Sequence, residues 1–116
     1  MLRMTIFLVI ALALVGGSTP ANAASTAKQP VAAQPQRVHV IVIDKMQYGP
    51  MPTDVRAGDI IEWTNHDILE HSATARDGHF DVDLKTGTSG RITVTAGTLA
   101  FFCKFHPTMT GTIVVK

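Results

Sequence analysis

The sequence predicts an all-β fold, a Greek-key two-sheet β-sandwich of about seven to eight strands. Short β-branched and aromatic runs recur along residues 37–116. Turn-forming Gly, Pro, Asn and Asp residues separate them. No segment in that range sustains the 3.6-residue apolar period of a helix.

Residues 38–43, Val-His-Val-Ile-Val-Ile, are too short and too β-branched for a helix and form the first strand. Gly49-Pro50-Met51-Pro52 then breaks the chain. Residues 54–56 are expected as a short strand ended by Ala57-Gly58-Asp59, and residues 60–64 as a clear one carrying Trp63. A loop over 65–70 leads into a strand at 71–75, and Asp77-Gly78 marks a turn. Residues 82–90, with Lys85-Thr86-Gly87-Thr88-Ser89-Gly90, read as a polar connection. Residues 91–95 alternate apolar and polar, Ala96-Gly97 turns, and strands at 98–103 and 111–115 complete the set.

The first residues do not belong to this domain. Arg3 precedes a continuous apolar run over residues 6–15, and Ala21-Asn22-Ala23 follows as a small-x-small cleavage pattern. The run falls short of the roughly 20 apolar residues a membrane-spanning helix needs. Residues 1–23 are therefore expected to be a cleaved secretory signal, with an uncleaved anchor as the alternative, and the mature protein to be periplasmic. Residues 24–36, rich in Ala, Gln and Pro, read as a flexible N-terminal segment before the domain at 37–116.

Loss of residues 1–23 removes one of ten Lys and Arg residues, leaving nine against nine Asp and Glu. A near-neutral domain lacks the basic footprint that nucleic acid requires and offers nothing to a membrane surface. One domain of this size is expected to act as a monomer. The single cysteine, Cys103, cannot form an internal disulfide. In an oxidising compartment a lone thiol is a liability unless it is buried, bound to metal or reactive.

The chemistry concentrates in Cys103-Lys104-Phe105-His106-Pro107-Thr108-Met109, which joins two predicted strands. So short a loop gathers a thiolate, an imidazole and a thioether at one end of the sandwich. These soft-to-borderline donors suit copper, whereas calcium and magnesium take oxygen. Two His and one Cys with a weak axial Met form the blue-copper electron-transfer arrangement. The second His must come from elsewhere among His39, His66, His71 and His79. His71, where the 65–70 loop re-enters a strand, is the expected partner, with His66 behind it. His39 reads as a partly exposed sheet residue, and His66 and His79 as surface residues. Any one of these donors alone is better explained by packing or by solvent exposure. Three of them in a seven-residue loop point to metal.

Residues 37–116 resemble the cupredoxins, most closely the amicyanin and plastocyanin-like branch. The Cys-x2-His-x2-Met spacing is similar to the amicyanin pattern, since plastocyanin and pseudoazurin place more residues between His and Met. Lys45-Met46-Gln47-Tyr48, Val55-Arg56-Ala57-Gly58-Asp59, Trp63-Thr64-Asn65 and Asp77-Gly78-His79-Phe80-Asp81 add to the resemblance. It implies one type 1 copper ion held by His71, Cys103, His106 and Met109, with no catalytic role. It also implies redox partners, a dehydrogenase as donor and a c-type cytochrome as acceptor. His106 is the expected electron port, with Phe105, Pro107, Met51 and Pro52 as an apolar patch around it. The resemblance further implies a pH switch, in which His106 protonates and leaves reduced copper.

The sequence departs from the family beside these ligands. Related proteins often carry Asn after the first ligand His, Ser or Thr after the Cys, and Pro before the His. Here those positions are Ser72, Lys104 and Glu70. Both side chains of the usual tie between the ligand loops are changed, although the Ser72 N–H remains able to donate to the Cys103 sulfur. The rival functions are a copper carrier or chaperone without a redox role, a cysteine hydrolase and a structural zinc site. The hydrolase lacks a marked orienting group and oxyanion hole, and Met is a poor zinc ligand.

Overall fold

A computed structural model describes residues 34–116 together with Ala13, Gly16 and Gly17. The chain divides into two units, Met1–Ala32 and Ala33–Lys116. The expected signal and most of the expected flexible segment lie outside the described residues. Among the described residues, no helix is long and apolar enough to cross a membrane.

The second unit is built from eight strands. They are β1 (Val38–Asp44), β2 (Gln47–Tyr48), β3 (Ile60–Asn65), β4 (His71–Ala75), β5 (Asp81–Leu84), β6 (Ser89–Thr93), β7 (Gly97–Phe102) and β8 (Thr110–Val115). They form two four-stranded sheets, ordered β2-β1-β3-β6 and β5-β4-β7-β8. β1 and β3 run parallel and every other strand pair is antiparallel. This is the predicted all-β sandwich.

Side-chain alternation supplies the core. On β1, Ile41 and Ile43 are buried while Val38, Val40 and Val42 face water. β3 contributes Ile61 and Trp63, β7 Phe101, and β8 Ile113 and Val115. Phe101 stands edge-on to both Tyr48 and Trp63, with ring centroids 5.0 and 5.3 Å away. Across from it on β8, Gly111 leaves room for the ring. A Cβ there would meet Phe101 Cε2 at 2.7 Å and Met51 Cε at 2.8 Å.

Three sequence expectations are corrected. Residues 54–56 form no strand, and Val55 makes only an isolated parallel bridge to Val115. The polar connection over 82–90 is not continuous, because β5 occupies Asp81–Leu84 and β6 begins at Ser89. Two aspartates, rare in strands, conceal β5. They face solvent on an edge strand while Val82 and Leu84 turn inward, an arrangement that also guards the edge. The short β2 was also unforeseen. It pairs with β1 through a two-residue turn in which Lys45 and Met46 have φ of 51° and 60°. That is the mirror-image hairpin turn usually made by Asn-Gly.

Candidate metal centre

Strand ends and two loops bring the expected donors together. His71 opens β4, Cys103 follows β7, and the backbone folds residues 103–109 into a tight loop before β8. His106 N–H donates to Cys103 O at 3.2 Å, Met109 N–H to His106 O at 2.9 Å, and Cys103 N–H to Met109 O at 3.0 Å. These three bonds tie the two ends of the loop and its middle to one another.

His71, Cys103 and His106 form a cluster whose candidate ligand atoms all lie within 4.8 Å of one another. Each histidine presents Nδ1 at 3.7 Å from Cys103 Sγ. His71 and Cys103 are fully buried, Met109 is nearly so, and His106 is partly exposed. The imidazole rings of His71 and His106 lie 4.9 Å apart, centroid to centroid. A first-row metal forms bonds of about 2.3 Å to sulfur and about 2.0 Å to nitrogen. Opened to the ~120° of a trigonal plane, those bonds separate the two donor atoms by ~3.7 Å. The donor set and its spacing thus fit a type 1 copper ion.

The family comparisons agree with this geometry. The sequence profile of the Cupredoxin-like domain matches residues 6–115. The chain belongs to the cupredoxin-like family. It is 30% identical over 100 residues to amicyanin of Paracoccus versutus, covering 78% of this chain and 76% of that protein. Amicyanin-alpha of Methylorubrum extorquens is 29% identical over 116 residues, covering 94% and 98% respectively. The crystal structure of Paracoccus versutus amicyanin superposes with a TM-score of 0.60 at 27% identity, covering 73% of this chain and 87% of that one. These relatives are not enzymes, and neither is this cupredoxin.

Asp67 is a functional residue that sequence reasoning missed. Its Oδ2 lies 2.8 Å from His71 Nε2 and 3.0 Å from Met46 N, and its Oδ1 accepts from Ile68 N–H at 2.8 Å. The His71 ring, and then the Met46 N–H, hold the Asp67 carboxyl below the usual carboxylate range. An ionised carboxylate can only accept. Nε2 therefore carries the ring hydrogen, and Nδ1 turns its lone pair toward Cys103. Asn65 shapes the same loop, accepting from Asp67 N–H and donating to the carbonyls of Leu69 and Leu84, each at 2.8 Å. The sequence offered only an aspartate four residues before a histidine in a loop, a spacing with no helical face to give it meaning.

The link between the two ligand loops is altered rather than lost. Ser72 N–H donates to Cys103 Sγ at 3.4 Å, as expected. The Ser72 hydroxyl also accepts the backbone N–H of Lys104 at 2.9 Å, so the loops stay joined although both side chains of the usual tie are changed. The tie needs only one side chain when a backbone group supplies the other half. The Lys104 ammonium sits between two carboxylates, 2.5 Å from Asp83 Oδ1 and 3.0 Å from Asp81 Oδ2. Lys104, followed by the Thr74 hydroxyl, holds the Asp81 carboxyl below its ordinary range.

The remaining histidines lie elsewhere. His66 and His79 are exposed, and half-buried His39 bonds Asp59 Oδ2 at 2.9 Å. The expected patch is rearranged. Phe105 is 45% exposed beside His106, but Met51 packs against the core. The largest exposed apolar side chains of the His71 loop are Ile68 at 86% and Leu69 at 43%.

Proposed function

We propose that this cupredoxin is an exported, periplasmic carrier of single electrons. Its copper ion would be held by His71, Cys103, His106 and Met109. The observation that carries this reading is the pair of 3.7 Å separations from Cys103 Sγ to the two Nδ1 atoms. Copper held there supplies a one-electron change between its two oxidation states.

Each residue then has a distinct task. Cys103 contributes the thiolate and keeps it out of water. His71, buried and held by Asp67, contributes a lone pair of fixed direction. His106 is the one nitrogen donor that reaches the surface, so its ring edge is the path for electrons. Exposed Phe105, Ile68 and Leu69 would meet redox proteins there, a donor such as a dehydrogenase and an acceptor such as a c-type cytochrome. The alternative, a copper carrier without a redox role, needs donors that can be handed over. Complete burial of His71 and Cys103 argues against release. Export rests on Arg3, the apolar run over 6–15 and Ala21-Asn22-Ala23.

Titration with Cu(II) is expected to produce intense absorption near ~600 nm, as a copper–thiolate site of this geometry does. Cys103→Ser should abolish it. Copper binding by Cys103→Ser with an unchanged visible spectrum would overturn the thiolate assignment. A reversible potential and fast reduction by a small donor separate an electron carrier from a copper carrier.

A further inference from the structure

Lys104, directly after the thiol, is bonded at both ends. Its backbone N–H donates to Ser72 Oγ at 2.9 Å, and Ser72 Oγ lies 2.9 Å from Thr74 Oγ1. Thr74 Oγ1 donates to Asp81 Oδ1 at 2.8 Å. Lys104 Nζ closes the circuit onto Asp81 Oδ1 at 3.1 Å and Oδ2 at 3.0 Å, and Asp83 Oδ1 lies 2.5 Å from the same ammonium. A hydroxyl has one hydrogen. The Thr74 hydrogen goes to Asp81, so the Ser72 hydrogen goes to Thr74 and leaves Ser72 Oγ to accept from Lys104. The bonds from the Lys104 amide through Ser72 and Thr74 therefore all point toward the Asp81 carboxylate, which the Lys104 ammonium reaches from the other side, and the aligned bonds of the hydroxyl arm strengthen one another.

The ring spans β4, β5 and the loop after β7. Ser72 takes part twice, since its own N–H donates to Cys103 Sγ at 3.4 Å. The sulfur and the peptide that follows it are thus both referred to one residue. Rotation of the 103–104 peptide would pull the Lys104 amide from Ser72 and swing Sγ away from the two Nδ1 atoms. We propose that this closed ring sets the orientation of Cys103, with Thr74, Asp81 and Lys104 as positioning residues for the thiolate. The proposal rests on Cys103 being the copper ligand. The ion pair alone would not suffice. The Lys104, Asp81 and Asp83 side chains are 32%, 52% and 57% exposed, and pairs so exposed contribute little. Closure through two hydroxyls turns a weak surface contact into a constraint on the loop.

The test uses the full chain, with and without copper. Thr74→Val and Asp81→Ala open the ring at two points away from the ligand side chains, and Lys104→Arg keeps the cation. In metal-free protein, amide hydrogen exchange at Lys104 is expected to quicken about three- to tenfold in both opened variants. That is the fold-change from losing one net hydrogen bond. It should stay within about twofold in Lys104→Arg, where the cation and every ring acceptor remain. In copper-loaded protein, the relative intensities of the sulfur-to-copper absorption bands and the reduction potential should shift in the opened variants and recover in Lys104→Arg. Unchanged exchange and unchanged spectra in folded Thr74→Val and Asp81→Ala would overturn the proposal. Wild-type protein that develops no thiolate absorption would overturn the functional reading instead, and the metal-free exchange rates would still decide whether the ring holds the 103–104 peptide.

Discussion

Gly111→Ala would test how tightly the sandwich is closed beneath the metal loop. Gly111 pairs directly with Phe101 across β8 and β7. An added Cβ would overlap Phe101 Cζ, and would lie 2.7 Å from Cε2 and 2.8 Å from Met51 Cε. Carbon atoms prefer about 3.5–4.0 Å, so the neighbours must yield by ~1 Å. The Met51 methyl ends a flexible side chain and can swing aside. Phe101 is fully buried, with its ring wedged edge-on against Tyr48 and Trp63. Overpacking of this kind costs about 1–3 kcal/mol. Disturbing an edge-to-face pair adds up to about 1 kcal/mol, and replacing a strand glycine returns roughly 0.5–1 kcal/mol. The net expectation is a loss of about 2 kcal/mol, or roughly 8–16 °C in Tm for a domain of this size. Urea unfolding of the metal-free protein, followed by Trp63 fluorescence, measures it. The Phe101→Leu background should absorb much of the loss, with a coupling energy of about 1 kcal/mol. A loss below about 0.5 kcal/mol, or strict additivity with Phe101→Leu, would refute the overlap as its cause.

Asp67→Ala should weaken copper binding about 10- to 100-fold by competition with a chelator, the usual effect of removing the partner of a ligand histidine. Less than about threefold would mean that Asp67 does not orient His71. Asp59 accepts from Arg37 and the Arg56 N–H and bonds the His39 ring. His39 first, and then the Arg56 N–H, hold its carboxyl far below the ordinary carboxylate value. The folded state therefore favours the anion. Its contribution is complete above the unfolded-state value near 4, and is lost as pH falls toward the folded-state value. The urea midpoint of wild type should drop between pH 5 and pH 3 more steeply than that of Asp59→Asn, and parallel curves would contradict this. Met46→Gly should raise stability by about 0.5–1 kcal/mol, because glycine adopts the positive φ at Met46 without strain. No gain in the urea midpoint would show that the turn is unstrained.

Much of the metal centre was legible because its donors are close in sequence. Cys103, His106 and Met109 occupy one short loop, and soft donors in that number have few uses other than metal. His71 was legible by its place at a strand entry. Asp67 was not, because its importance lies in where its loop folds back on His71, and local sequence does not encode that. Strand β5 was hidden for a related reason. Asp81 and Asp83 oppose a strand by propensity and suit one only on an exposed edge, facing Lys104.

By itself the sequence determined the all-β class, most of the strands and the chemical identity of the donor set. β-branched alternation, turn residues and ligand spacing are local properties of the chain. The tertiary structure alone decided that His71 and His106 face one sulfur at equal distance, that Asp67 holds the deeper imidazole, and that Lys104 reaches round through Ser72, Thr74 and Asp81. Those relations join residues of separate strands and loops, and they exist only once two sheets have closed over a common core.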